Sequence, residues 1–472
     1  MQLLYGSGGQ RVLFLQQIQR RTGRGMAETS SAKMPSAPNA LRVWAAAYRV
    51  ELILFGVSFF VLAMFSGQRF LRQSEAPHFV YQAQAWLDGR QDIAAEVLPN
   101  FEDWACVREV NGTKTRCTRP LLATDKWFSS FPMFPSAVML PFVAIHGYQF
   151  NDTSFGVIVG ALAIALFYSF LRLLSEHEGT ARAPWENATI ALVLGFGTLF
   201  FYCAIRGEVW FSAEVMGVAL TCLYLRNAVG ARRPLLAGLF WSMAVLTRTP
   251  LVFTGLFFLL EAVSPARGHQ WLDAWRSFLK APNDVLRNKL QPFVVGAAPL
   301  ALIAMAMNAS RFGSITEFGH RFFFDNRVNQ DIDTYGLFHP TYLSRNLEAA
   351  FLLFPKFVNG KLEYSPWGMS LFLTLPLLGL VAWPKQTHRL QGPLWLTTLA
   401  CALPGFFYQN TGYAQFGFRF SLDYTPYLLG LLAVGGWKLH KPLAAVLIGI
   451  GVLVNFWGAV AFRGYTEMMR QW

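Results

Sequence analysis

Phe131-Pro-Met-Phe-Pro-Ser-Ala-Val-Met-Leu-Pro-Phe-Val-Ala-Ile-His-Gly147 decides how the chain is threaded. Its hydropathy is that of a membrane span, but Pro132, Pro135 and Pro141 interrupt it. Beyond Pro135 the segment up to Gly147 covers roughly 18 Å as a helix, against a hydrocarbon core of about 30 Å. It is therefore expected to lie at the membrane surface or to re-enter, without crossing.

The composition around it is that of a membrane protein. Of 472 residues, 54% are hydrophobic and only 14% charged, which argues against a water-soluble fold. Apolar runs recur from Leu52 to Phe462. In lipid each must satisfy its own backbone groups, and continuous runs without alternation do so as helices. The formal charge of +13 does not form a basic face with interleaved aromatics, so nucleic acid is not an expected partner. Lys and Arg fall between apolar runs, where they set topology.

Spans are expected near residues 52–65, 154–174, 188–205, 211–229, 235–247, 250–263, 292–308, 367–383, 393–408, 424–437 and 443–461. This is an all-α polytopic membrane protein of about ten or eleven transmembrane helices. With 131–147 kept out of the count, the basic connections Arg226–Arg233, Arg267–Lys289, Lys385–Arg389 and Lys438–Lys441 all become cytoplasmic. Counting it as a span would place all four outside. Residues 1–45, polar and basic, are expected to be a disordered cytoplasmic tail. Residues 46–472 form the transmembrane domain, with outer loops 67–130 and 309–366 and the juxtamembrane helix 131–147. Loops this long are usually folded and functional.

In the first loop, Ser74 to Gly89 is expected to form an interfacial helix capped by Ser74 and stopped by Gly89, with Phe79, Ala83, Trp86 and Leu87 on one face. Glu75 and His78 sit together at its start. An ordinary first-turn carboxylate beside a solvated histidine accounts for them as well as chemistry does. Farther on, Cys106-Val-Arg-Glu-Val-Asn-Gly-Thr-Lys-Thr-Arg-Cys117 centres Asn-Gly between two cysteines. That is a type I′ hairpin signature that puts the cysteines directly opposite, and a structural disulfide is expected. Cys203, Cys222 and Cys401 fall in expected spans as packed apolar residues.

Polar groups gather at the outer ends of spans: Asp103, Asp125-Lys126, Arg206-Gly-Glu-Val-Trp210, Arg248, Arg311 to Arg321 with His320, and Gln415-Phe-Gly-Phe-Arg-Phe-Ser-Leu-Asp423. Several cations beside carboxylates at headgroup depth suit a phosphate, although snorkelling explains individual arginines equally well. Asp331-Ile-Asp333 is the one pair able to chelate a divalent cation, and such pairs are common by chance. No metal site is assigned and no cofactor is required. Nucleotide-binding loops, nucleophile elbows and zinc spacings are absent from the sequence.

At these residues the chain resembles the integral-membrane glycosyltransferases of the GT-C superfamily, in the family 39-like branch of protein mannosyltransferases and aminoarabinose transferases. The resemblance covers most of the chain from about residue 45. Glu75 stands at the family's acidic position, ahead of Phe79, Ala83, Leu87 and Gly89. Phe131–Gly147 resembles its proline-containing juxtamembrane helix, and Gly417-Phe-Arg-Phe-Ser-Leu-Asp-Tyr-Thr-Pro426 its outer-face arginine element. Two departures stand out. Ser74-Glu75 replaces an Asp-Glu pair, and the Lys-Pro-Pro element is met only by Lys126 followed by Pro132 and Pro135.

The resemblance implies a GT-C-like bundle that transfers a sugar from a polyprenyl-phosphate donor to a lipid, glycan or protein acceptor. Glu75 would be the general base, with Asp103 its rival. Lys126, Arg248 and Arg419 would hold phosphate, and His78, His320 and Arg321 would contact sugar or phosphate. A bacterial inner (plasma) membrane is expected, with the large loops periplasmic or extracellular. The competing readings are a transporter or flippase of a lipid-linked saccharide and a non-catalytic envelope assembly factor.

Overall fold

The computed structural model describes residues 45–99, 103–263, 279, 282–358, 360–363 and 365–469. The chain forms two units, residues 1–53 and 54–472. Apart from Ala45, the expected tail lies outside the described residues. The rest of this description concerns the second unit.

Among the described residues, five helices are long and apolar enough to cross a membrane: Arg49–Leu71, Asp152–His177, Val209–Ala231, Pro282–Phe312 and Pro442–Phe462. The chain is an integral membrane protein built mostly of helices. The remaining expected spans are shorter or broken. Residues 188–205 divide at Gly197 into Pro184–Phe196 and Phe200–Ala204. Pro234–Val245, Thr249–Val263 and Thr425–Val434 are short apolar helices, and 367–383 contains only Leu371–Thr374 and Leu378–Ala382. Regular apolar runs in the sequence thus conceal interruptions. Several lie beside the polar residues described below.

The helices meet closely where small residues permit it. An added Cβ at Gly238 would sit 1.9 Å from the carbonyl oxygen of Phe293, and one at Gly296 would sit 2.1 Å from that of Leu235. The two helices therefore touch backbone to backbone, the arrangement small residues allow in lipid. Asn151 starts the Asp152–His177 helix by accepting a bond from the Ser154 amide at 2.9 Å.

The first loop departs from its expected form at one point. Its helix, which we label α1, spans His78–Leu87, starting four residues later than the expected Ser74 cap. Ser74 instead donates both its amide (2.7 Å) and its hydroxyl (2.6 Å) to Asp152. A carboxylate distant in sequence thus outcompetes the local capping bond, and Glu75 lies in the irregular segment before the helix. Gly89, with φ +72, ends it as expected.

The hairpin forms as expected. Strands β1 (Trp104–Val110) and β2 (Thr113–Arg116) pair with Glu109 opposite Lys114, and Asn111 and Gly112 both have positive φ at the turn. Cys106 and Cys117 are joined by a disulfide. A third strand, β3 (Lys126–Ser129), adds to the free edge of β1. Behind the sheet, Trp104, the disulfide, Trp127 and Phe324 form one buried cluster with Ile93 and Ala85. The disulfide closes a short loop, a constraint on the unfolded chain of about 3 kcal/mol. A Cys106→Ser/Cys117→Ser double variant should therefore unfold several degrees lower in a detergent thermal melt. An unchanged melt would make the bridge dispensable.

Phe131–Gly147 contains a single helix, α2, of 13 residues from Phe134 to His146, with Pro141 inside it. Its length falls short of the candidate spans.

The two large loops pack on each other at one end of the bundle. The Phe324 amide donates to the Trp104 carbonyl at 3.0 Å, and Ala105 bridges to Phe323. Lys114 bonds the Ser310 carbonyl, and Arg116 pairs with Asp333. The second loop therefore roofs the first.

Candidate active site at the loop end of the bundle

Two cavities lie beneath this roof and share a wall. The first, about 320 Å³, is mostly apolar and runs between the Thr247–Pro250 turn, the 401–405 helix end and the 316–323 segment. The second, about 500 Å³, is lined by charge: Glu75, Arg119, Arg206, Glu208, Asp325 and Arg327. Asp103, Trp210, Asn410 and Arg419 line both.

Asp103 sits immediately before β1 with φ +55, a left-handed conformation that Asp tolerates better than most residues. Its carbonyl accepts from the Ser130 hydroxyl at 2.5 Å. Its carboxylate accepts from Trp210 Nε1 at 2.6 Å and from Asn326 Nδ2 at 2.5 Å. Three parts of the chain thus aim one carboxylate: the first loop, the start of the Val209–Ala228 helix and the second loop. Burial raises its pKa above the ordinary Asp value, opposed by the bonds from Trp210 and Asn326 and by the charges of Arg327 and Arg419.

Arg419 lies in the short helical turn Arg419–Asp423 and is buried. Its Nη1 donates to Gln415 Oε1 at 2.9 Å, and its guanidinium lies 5.1 Å from the Phe420 ring centre. No carboxylate among the described residues forms an ion pair with it. Arg248 is different. It forks onto Asp423 (3.1 and 2.8 Å) and lies 3.0 Å from Glu214, both carboxylates being buried. Its charge is already matched within the protein, whereas that of Arg419 is not.

The other expected site residues divide between the cavities and their surroundings. Glu75 is exposed and lines the charged cavity alone. His320 lines the apolar one, its ring 5.4 Å from that of Phe323, and burial with the nearby Arg248 charge lowers its pKa to about 4. It is therefore a neutral hydrogen-bonding group at physiological pH. His78 is buried with its ring stacked on Trp104 at 3.8 Å and lines neither cavity. Lys126 and Arg321 also line neither cavity. Lys126 is exposed as the first residue of β3, whose other three residues are buried. Arg321 points outward, its side chain 63% exposed.

Sequence reasoning passed over Trp210, Asn326 and Arg327 as site residues. Only Trp210 carried a signal, as the end of the charged Arg206–Trp210 element. Asn326 and Arg327 reach the site through the docking of the second loop, which no local pattern encodes. Asp331 and Asp333 do not act as a pair, since Asp331 binds Arg345 at 2.8 Å and Asp333 pairs with Arg116. Among the described residues the one group of three candidate metal ligands is Cys106, Cys117 and Asp125, and its two sulfurs are joined in the disulfide.

The fold is similar to that of ArnT from Cupriavidus metallidurans. The likeness to that crystal structure, which is bound to undecaprenyl phosphate, has a TM-score of 0.44 at 13% identity and covers 87% of this chain. The chain spans 63% of the length of ArnT. No family model matches the chain, and no curated protein matches it in sequence.

Proposed function

We propose that the protein is a GT-C-like glycosyltransferase that moves a sugar from a polyprenyl-phosphate donor to an acceptor at the non-cytoplasmic face of a bacterial inner membrane. The observation that carries this reading is the position of Asp103: one enclosed carboxylate in the wall between an apolar cavity and a charged one. The apolar cavity suits the donor. Its wall includes Val252, Phe253 and Phe338, each more than two-fifths exposed, so apolar lining continues to the outer surface, as an isoprenoid chain requires. Arg419 lies at the boundary, where the donor phosphate would meet the acceptor.

The acceptor enters the charged cavity. As its oxygen attacks the anomeric carbon, its proton passes to the Asp103 carboxylate. The bond from that carbon to the phosphate oxygen breaks, and its electron pair leaves with the phosphate. A carboxylate with a raised pKa is a better base than one at the ordinary value. Arg419 stabilises the charge that develops on the leaving group. Glu75, on the charged side only, contacts the acceptor.

The test is transfer of radiolabelled sugar from a synthetic polyprenyl-phosphate donor to membrane extract by the purified protein. Wild type should transfer, and Arg419→Gln should transfer roughly 10²-fold less, the effect of removing one donor to a developing anion. Movement of intact lipid across vesicles without transfer would instead establish a transporter.

A further inference from the structure

The charged cavity holds a cation that the proposed chemistry leaves unused. Besides Arg419, the arginines that line it are Arg119, Arg206 and Arg327. Two of these are matched on the spot. Arg119 pairs with Asp325 at 3.1 Å and Arg206 with Glu208 at 3.2 Å, and both carboxylates line the same cavity. Arg327 has no such partner. Among the described residues no carboxylate forms an ion pair with it, and Asp331, four residues on, is held by Arg345 at 2.8 Å.

What Arg327 does meet is neutral. Its Nη2 donates to Asn410 Oδ1 at 3.2 Å, and its guanidinium carbon lies 5.0 Å from the Trp367 ring centre and 5.1 Å from that of Tyr413. Aromatic faces hold a guanidinium in place without neutralising it. Its Nε and Nη1 make no hydrogen bond among the described residues, and the residue is exposed, so donors stay free for a ligand.

The place of this charge is tied to that of the base. Asn326, the residue before it, donates to the Asp103 carboxylate, and the Arg327 charge acts on the same carboxylate. Arg327 lines the charged cavity and not the apolar one, which puts it on the acceptor's side of Asp103. A planar guanidinium fork matches a carboxylate in both shape and charge. A phosphate monoester carries about 1.5 to 2 negative charges at neutral pH. With Arg419 committed to the donor, one unmatched cation is left, which balances a carboxylate and not a phosphate.

We infer that Arg327 selects an acceptor bearing a carboxylate close to the hydroxyl that receives the sugar, as in a uronic acid unit. The inference rests on the transferase reading and adds to it the charge of the acceptor.

Binding and transfer are read separately on the full-length protein in detergent. The binding probes, followed by ligand-detected NMR, are methyl glucuronide, methyl glucoside and methyl glucoside 6-phosphate, which differ at a single carbon. Wild type should bind the glucuronide roughly tenfold or more tightly than the other two, the scale of hydrogen bonds to a charged group. Arg327→Gln should lose that preference, and Arg327→Lys, which keeps the charge without the fork, should retain part of it. No binding of the glucuronide, tighter binding of the phosphate, or a preference unchanged in Arg327→Gln would overturn the inference. In transfer to membrane extract, Arg327→Gln should raise the acceptor KM and leave the donor KM as it was. A raised donor KM with the acceptor KM unmoved would put the donor phosphate on Arg327 and overturn the inference while the transferase reading stands. Glucuronide binding that depends on Arg327 in a protein that transfers no sugar would sustain the carboxylate site and sink the transferase reading.

Discussion

Asp103→Asn is expected to lower sugar transfer by roughly 10²–10⁴-fold, the range for loss of a positioned general base. The substitution preserves shape but places an amide NH₂ against one of two donors, Trp210 Nε1 or Asn326 Nδ2. A modest fall in melting temperature should accompany the loss of activity. Glu75→Gln, altering an exposed residue of the charged cavity, should cost only a few-fold. The pH profile adds a second check. The base acts ionised, and burial raises the Asp103 pKa, so wild-type transfer should fall with acid through a pH above the ordinary Asp range. That acid limb should vanish from the residual activity of Asp103→Asn. Full transfer by Asp103→Asn together with loss in Glu75→Gln would move the base to Glu75.

Arg248→Met should be the most damaging substitution for stability. It strips the shared cation from Glu214 and Asp423, which are 1% and 6% exposed, and leaves two buried carboxylates facing each other. Breaking a buried pair in this way costs about 3–5 kcal/mol. The variant should melt far below wild type or fail to accumulate. Adding Glu214→Gln and Asp423→Asn should recover much of the loss, because the uncompensated charge is then removed. If Arg248→Met melts like wild type and only its donor affinity drops, Arg248 holds the phosphate and the clamp is incidental. Arg419→Gln should show the opposite balance, with activity lost and the melt largely kept.

The contrast between the two arginines shows what the sequence could and could not convey. Both stand at the ends of apolar runs and look alike as strings. What separates them is the partner each meets, and Glu214 comes from the second turn of a helix that reads as an ordinary span. The hairpin was legible because everything that determines it is local: Asn-Gly fixes the turn and the pairing then aligns the cysteines. The short helix at Phe134 was legible for the same reason, through its prolines. Ser74 misled because its capping role depends on having no better partner, and Asp152 is one. The exposed place of Lys126 at the start of the third strand was not legible, because that strand forms only through long-range pairing with β1. The site as a whole lies where two loops dock, and Asn326 and Arg327 arrive only through that docking.

The left-handed backbone at Asp103 has a consequence for how the position can vary. Only Gly, Asn and Asp adopt that conformation readily, so mutational drift there is confined to a narrow set before chemistry is considered. Of the three, only Asp carries a proton acceptor. Under the proposed base role, backbone and chemistry act as two successive filters that leave a single residue. An alanine scan at position 103 would therefore mix conformational strain with loss of function, and only the Asn exchange separates them.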